Sequence, residues 1–139
     1  MMLPATLVGA AILAASAFGR AEAAPDPLVR HRWSSRLVVV VAPAPGDPRV
    51  AEQKRILAEA GPGAGERDLA LVEAVGDGPD ASAIRRRLGV RATDFAAILV
   101  GKDGGAKLRS DRPLTASALF EEIDTMPMRR SEMRKDVRP

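Results

Sequence analysis

The sequence predicts an α/β domain of order β-α-β-α-β-β-α around a mixed central sheet, preceded by a signal peptide. Three observations lead there. Leu37-Val38-Val39-Val40-Val41-Ala42 is an uninterrupted, mostly β-branched run, the pattern of a strand covered on both faces and therefore central and parallel. Two segments with helical spacing separate the first three apolar runs, and such alternation builds crossover connections. Asp103-Gly104-Gly105 then joins the third run to a fourth through a tight hairpin turn, which implies an antiparallel edge.

Taken in order, the chain opens with Leu3 to Phe18, an uncharged, Ala-rich run of about 16 residues, short of the ~20 that span a bilayer. Ala21-x-Ala23 follows with the small-x-small pattern of a secretory cleavage site, and Pro25 lies just beyond. Cleavage after Ala23 and an exported location, periplasmic or secreted, are the expectation. Pro25 to Ser35 reads as a polar arm.

The central strand ends at Pro43-Ala44-Pro45-Gly46. Asp47 and Pro48 supply a helix cap and a first-turn proline. That helix runs to about Ala60 with Val50, Leu57 and Ala60 inward, and Gly61-Pro62 stops it, leaving Gly61 to Gly65 as a loop. Leu69 to Val75 is the second strand. Asp80 is expected to cap a helix with Ala81, Ile84 and Leu88 inward, ended by Gly89. Phe95 to Val100 and Ala106 to Ser110 form the hairpin. Thr115 caps a last helix that buries Leu119, Ile123 and Met126, and Met126-Pro127 ends the regular structure. The resulting organisation is residues 1–23 signal peptide, 24–35 arm, 36–127 domain and 128–139 charged tail.

This element order is the thioredoxin topology. A flavodoxin-like fold needs more parallel strands, and a ferredoxin-like sandwich needs a different strand order.

Composition narrows the chemistry. Among 139 residues there is no cysteine, one histidine and four aromatics, three Phe and one Trp. The absence of cysteine excludes disulfides, thiol catalysis and thiolate metal sites. The serines lie in no nucleophile-elbow motif, and His31 sits on the arm. Gly101-Lys102 is no P-loop, because Ala96 and Asp103 occupy the positions that would need glycine and Ser/Thr. Asp77, Asp80 and Asp94 lack EF-hand spacing. No cofactor and no metal are expected. Basic residues number 21 and acidic ones 18, a net +3. From Met126 onward five basic residues face two acidic ones, so the whole surplus sits in the tail. Export, the scarcity of aromatics and the lack of a recognition motif argue against nucleic acid. An unknown protein or an acidic envelope component, such as anionic lipid headgroups or glycans, is the expected partner.

Four stretches carry a family resemblance. They are Arg32-Trp33-x-x-Arg36-Leu37-x-Val39-x-x-Ala42-Pro43, Glu66-Arg67-Asp68-Leu69, Gly101-Lys102-Asp103-Gly104-Gly105-x-Lys107-Leu108-Arg109-Ser110, and Ile123-Asp124-x-Met126-Pro127-Met128-Arg129-Arg130. Their shared order over about a hundred residues resembles the DUDES-type domain of unknown function, family 4174. That family includes short secreted bacterial proteins, and related domains occur in coiled-coil domain-containing protein 80 and the sushi-repeat proteins. The resemblance implies a thioredoxin-like fold outside the cytoplasm and supplies no established reaction. Where thioredoxins carry their cysteine pair this chain has Ala42 to Asp47, and near the position of their cis-proline it has Asp94.

Candidate binding residues follow from these places. Pro43, Asp47, Arg91 and Asp94 belong to the loops at the carboxyl ends of the strands, where open sheets collect ligands. Trp33 is expected to lie as a lid on the core, with a ligand platform formed with Arg36 as the alternative. Arg85, Arg86 and Arg87 fall off the apolar stripe of their helix and complement its C-terminal dipole. Lys107 and Arg109 alternate along an edge strand, where charge discourages edge pairing. Arg129 and Arg130 open the tail. The favoured reading is a non-catalytic binding module; the competing one is carboxylate chemistry near Asp47 and Asp94.

Overall fold

The computed structural model describes residues 26–137; the expected signal peptide and its cleavage site lie outside them. Four strands, β1 (Arg36–Ala42), β2 (Leu69–Val75), β3 (Ala96–Val100) and β4 (Ala106–Ser110), form one sheet in the order β2-β1-β3-β4. Strand β1 pairs parallel with β2 and antiparallel with β3, and β3 pairs antiparallel with β4. Among the described residues the β1–β2 connection is therefore the only parallel crossover between neighbouring strands. The expectation of a second, between the second and third apolar runs, is corrected: β3 runs against the other three strands. This mixed sheet has the thioredoxin-like arrangement.

Every residue of β1 is buried, because β1 has a strand on each side and helices over both faces. Alternate side chains divide the core. Leu37, Val39 and Val41 meet Ile98 of β3 and Ile84 of helix α3 (Pro79–Leu88) on one face. Val38 and Val40 meet Leu99 of β3, Val50 of α1 (Pro48–Ala60), and Leu119 and Ile123 of α4 (Ala116–Asp124) on the other. Period-2 alternation within one strand thus supplies both halves of the core.

Local capping works largely as the residue types dictate. The Asp47 carboxylate accepts from Arg49 N at 3.0 Å, and Thr115 Oγ1 accepts from Ala118 N at 3.1 Å. Gly89 closes α3 at φ 66°, a left-handed conformation suited to glycine. Asp80 is not a cap; Gly78 holds that position and Pro79 opens the helix, with Asp80 one residue further in.

Four further expectations are corrected. Pro62–Glu66 is a short helix, α2, and not a loop: Pro62 both stops α1 and starts the next turn, since its missing N–H costs nothing there. At Gly63 an added Cβ would lie 3.0 Å from the Phe120 ring, so glycine lets α2 approach α4 this closely without displacing that ring. The arm holds a 3-10 turn at Val29–His31, and Leu28 is buried in the core. Arg85 is buried on α3 and donates to the Gly76 carbonyl at 2.6 Å. The largest correction concerns the tail, where Pro127 opens a fifth helix, α5 (Pro127–Asp136). The same proline that ends α4 is pre-set for the first turn of α5.

Gln53 carries a contact that periodicity does not reveal. Its fully buried amide donates to Leu114 O at 2.9 Å and accepts from Leu114 N at 2.6 Å, joining α1 to the approach to α4 like one rung of a sheet.

Candidate functional site

The sequence candidates separate into two groups at opposite ends of β1. At its carboxyl end, Asp47 and Asp94 are each held by a nearby arginine: Asp47 pairs with Arg49 at 2.6 Å and Asp94 with Arg91 at 2.9 Å. Arg49 also lies over the Phe95 ring, 4.5 Å from its centre, which fixes the guanidinium between helix and sheet. A polar hollow of about 420 Å³ opens here, lined by Arg49, Thr93, Asp94, Phe95, Arg109 and Asp111, among others. Pro43 is exposed on the adjoining loop. Arg91 also lines a neighbouring hollow beside Asp77 and Arg86, so its pair with Asp94 bridges the two.

The electrostatics there are mixed in sign. The hydrogen bond from Arg49 holds the Asp47 carboxyl below its ordinary range, and the one from Arg91 does the same for Asp94. Both groups are ionised at neutral pH and poorly matched to proton transfer there. Arg109 does more than protect an edge: it donates to the Leu88 and Gly89 carbonyls at 2.9 and 3.2 Å, satisfying the last turn of α3. Lys107, on the same strand, pairs with Asp103 at 2.8 Å across the hairpin.

At the amino end of β1 an ionic network joins α5 to the sheet. Arg36 is 1 % exposed; its Nη atoms donate to Glu132 at 3.1 and 3.2 Å and to Arg67 O at 2.9 Å. Lys102 Nζ reaches Glu132 at 2.6 Å and Asp68 at 2.8 Å. A second group lies alongside, where Arg67 grips Asp124 through two bonds, at 3.0 and 2.9 Å, and the buried Arg129 donates to Asp124 at 3.2 Å. Burial works to raise the Glu132 pKa, but donation from Arg36 and Lys102 outweighs it and the net shift is downward. Burial likewise opposes the charge of Lys102, yet its two carboxylate partners raise its pKa overall. For Asp124 the Arg67 bonds are the chief cause of a lowered pKa.

The four stretches that carry the family resemblance meet in this network through Arg36, Glu66 to Asp68, Lys102, Asp124 and Arg129. Glu132, which ties them together, lies beyond the last stretch and has no local signal. Arg49 was legible only as part of an Asp-x-Arg helix start. Arg130, by contrast, is exposed on α5 and takes no part. A mainly apolar hollow of about 340 Å³ adjoins the network, bounded in part by Arg36, Lys107, Met126 and Met128.

Trp33 is not a core lid. Its side chain is 64 % exposed, and its backbone sits at φ 70°. A left-handed conformation costs a non-glycine residue about 1–2 kcal/mol, and the ring gains little burial to offset it. The bond from Trp33 N to Lys102 O, 2.6 Å, holds the segment against the end of β3.

Among the described residues no group of three or more His, Asp or Glu could hold a metal ion, and no helix is long and apolar enough to cross a membrane. A family model described as Domain of unknown function (DUF4174) matches residues 27–132. No solved structure matches the chain.

Proposed function

The chain belongs to the DUF4174 family of domains of unknown function, and we propose that it is an exported, non-catalytic binding module on a thioredoxin-like scaffold. The observation that carries this reading is the state of the strand-carboxyl end. Thioredoxins place a nucleophile there; this chain places two carboxylates, each neutralised by an arginine and held ionised. Such a surface offers alternating charge and hydrogen-bonding groups to a partner, but no thiol, and its carboxylates are held ionised, poorly matched to activating the Thr93 or Ser110 hydroxyls at neutral pH. Its partner is a protein segment or an acidic component of the envelope, bound across the hollow between Arg49, Asp94 and Arg109. Export is supported by the apolar run Leu3 to Phe18 and the Ala21-x-Ala23 site.

Affinity capture from envelope extract tests the reading, with the wild-type protein run beside Asp94→Asn and Arg49→Ser. Arg49→Ser should deplete an acidic component, and Asp94→Asn should enrich it; a protein segment that brings a cation to the carboxylate should be depleted by Asp94→Asn, since each substitution removes one charge and leaves Arg109 and Asp111 in place. Recovery unchanged in both variants removes the strand-carboxyl end from the proposal. Mass spectrometry of the exported protein should find an amino terminus at or within a residue or two of Ala24; intact Met1 confined to the cytosol would overturn export.

A further inference from the structure

We infer that the end of the molecule opposite this hollow, built from the Val29–Trp33 segment and α5, docks on an anionic lipid bilayer. The inference stands apart from the proposed partner site and uses none of its residues.

The exposed large apolar side chains of the described residues are Val29, Trp33, Met128 and Val137. Val29, Trp33 and Met128 belong to these two segments and Val137 caps the end of α5, although the segments are about a hundred residues apart in the chain. Both are anchored at one place: Trp33 through its backbone bond to Lys102 O, and α5 through the Glu132 bond to Lys102 Nζ. Both segments therefore sit at one end of the sheet. Met128 and Val137, nine residues apart, leave opposite sides of the α5 axis, so Val137 accompanies the outward basic face while Met128 turns toward the hairpin hollow beside Lys102.

Cations accompany them. Arg30, Arg32, Arg130, Arg134 and Lys135 are exposed on the same segments, against the single exposed carboxylate Asp136. On α5, Arg130, Arg134 and Val137 recur at i, i+4 and i+7 and so share one face, while Arg129 and Glu132 turn inward to the ionic network. Folding gives no reason for Trp33 to stand in water on a left-handed backbone; an interface in which an indole has one apolar and one wet side does. Flexible basic side chains around an apolar patch suit mobile anionic headgroups, with electrostatic attraction and shallow apolar insertion acting as two weak signals that add.

Trp33 is the only tryptophan, so its fluorescence reports on this face alone. The test uses the full chain with vesicles of mixed phosphatidylglycerol and phosphatidylcholine, and with phosphatidylcholine alone. Anionic vesicles should shift Trp33 emission to the blue and shield it from acrylamide, and high salt should weaken both effects. The double variant Arg130→Ser/Arg134→Ser, checked for native circular dichroism, should partition roughly 10- to 30-fold less strongly. Trp33→Ser should also bind more weakly by co-sedimentation, whereas Asp94→Asn should bind as wild type. Unchanged Trp33 emission on anionic vesicles overturns the inference, whether or not the protein sediments. So does an equal response to neutral vesicles, or a double variant that binds normally, which would assign attachment to the apolar amino-terminal run. A loss of vesicle binding in Arg49→Ser, or a gain in Asp94→Asn, would instead place the lipid contact at the strand-carboxyl hollow and overturn the separation of the two surfaces.

Discussion

Glu132→Ala should be among the most damaging single substitutions at the surface of this protein. Arg36 is 1 % exposed and its guanidinium has three bonds, two of them to Glu132 and one to the Arg67 carbonyl. Its Nε is buried with no partner, so nothing is held in reserve. Removing Glu132 leaves a buried cation on one carbonyl, and breaking a buried pair from one side costs about 3–5 kcal/mol. The Glu132 side chain is 26 % exposed, and Lys102 keeps Asp68, so water and the remaining carboxylate recover part of that. The expected loss is about 2–3 kcal/mol, equivalent to a fall of roughly 10 °C in Tm for a domain of this size. Urea unfolding followed by circular dichroism measures it, with an unchanged m-value marking a true stability change. The double variant Arg36→Met/Glu132→Met should recover most of the loss, because an apolar pair of similar volume carries no desolvation penalty. A loss below about 0.5 kcal/mol for Glu132→Ala, within the usual range for surface changes, would refute the view that α5 is stapled to the sheet through this carboxylate.

The remaining predictions concern the same framework. Glu132 and Asp124 have folded pKa values below their ordinary 4.5 and 3.8. Their contribution is therefore complete above those values and lost as pH falls through the lowered ones. The urea midpoint should drop on acidification below about pH 4.5, and Glu132→Gln should flatten that fall; a midpoint independent of pH in this range would contradict the network. Gln53→Leu strands both the N–H and the carbonyl of buried Leu114, and should cost about 2–4 kcal/mol in urea unfolding, since each orphaned buried group is worth about 1–3. Truncation after Met128 removes Arg129 and Glu132 together, and should destabilise at least as much as Glu132→Ala; a shortened chain with native Tm would show that α5 is dispensable. Insulin reduction should read as blank, because attack on a disulfide needs a thiolate and the chain has no cysteine.

How much of this was legible in the sequence depends on the range of the interaction concerned. The strands and the first helix were visible because hydrophobic period is a local property: Leu37 to Ala42 is apolar at every position, and its length, its β-branched residues and the Pro43 that follows point to a strand covered on both faces. Asp47, Thr115 and Gly89 were equally readable, since a cap acts within one turn of its own residue. The candidates at the strand-carboxyl end were placed by topology, and Asp47 and Asp94 do flank one end of the sheet, but the arginine that each pairs with was not specified. Helix α5 was missed for a physical reason. Its residues are charged on nearly every face, so it has no apolar stripe, and Pro127 reads equally as a stop and as a start. Only tertiary structure decides between them, by offering Glu132 two buried or nearly buried cations, Arg36 and Lys102, that come from strand β1 and the end of β3. Trp33 shows the converse. An indole beside a strand has the hydrophobicity of a core residue, and its exposure follows from the backbone bond to Lys102 and the left-handed turn at its own Cα. Composition determined that this chain has no thiol chemistry and carries its surplus charge at one terminus. The folded chain determined which charges are spent on one another and which face outward, because a Coulomb partner is chosen by distance in space, and Arg36 and Glu132 are 96 residues apart.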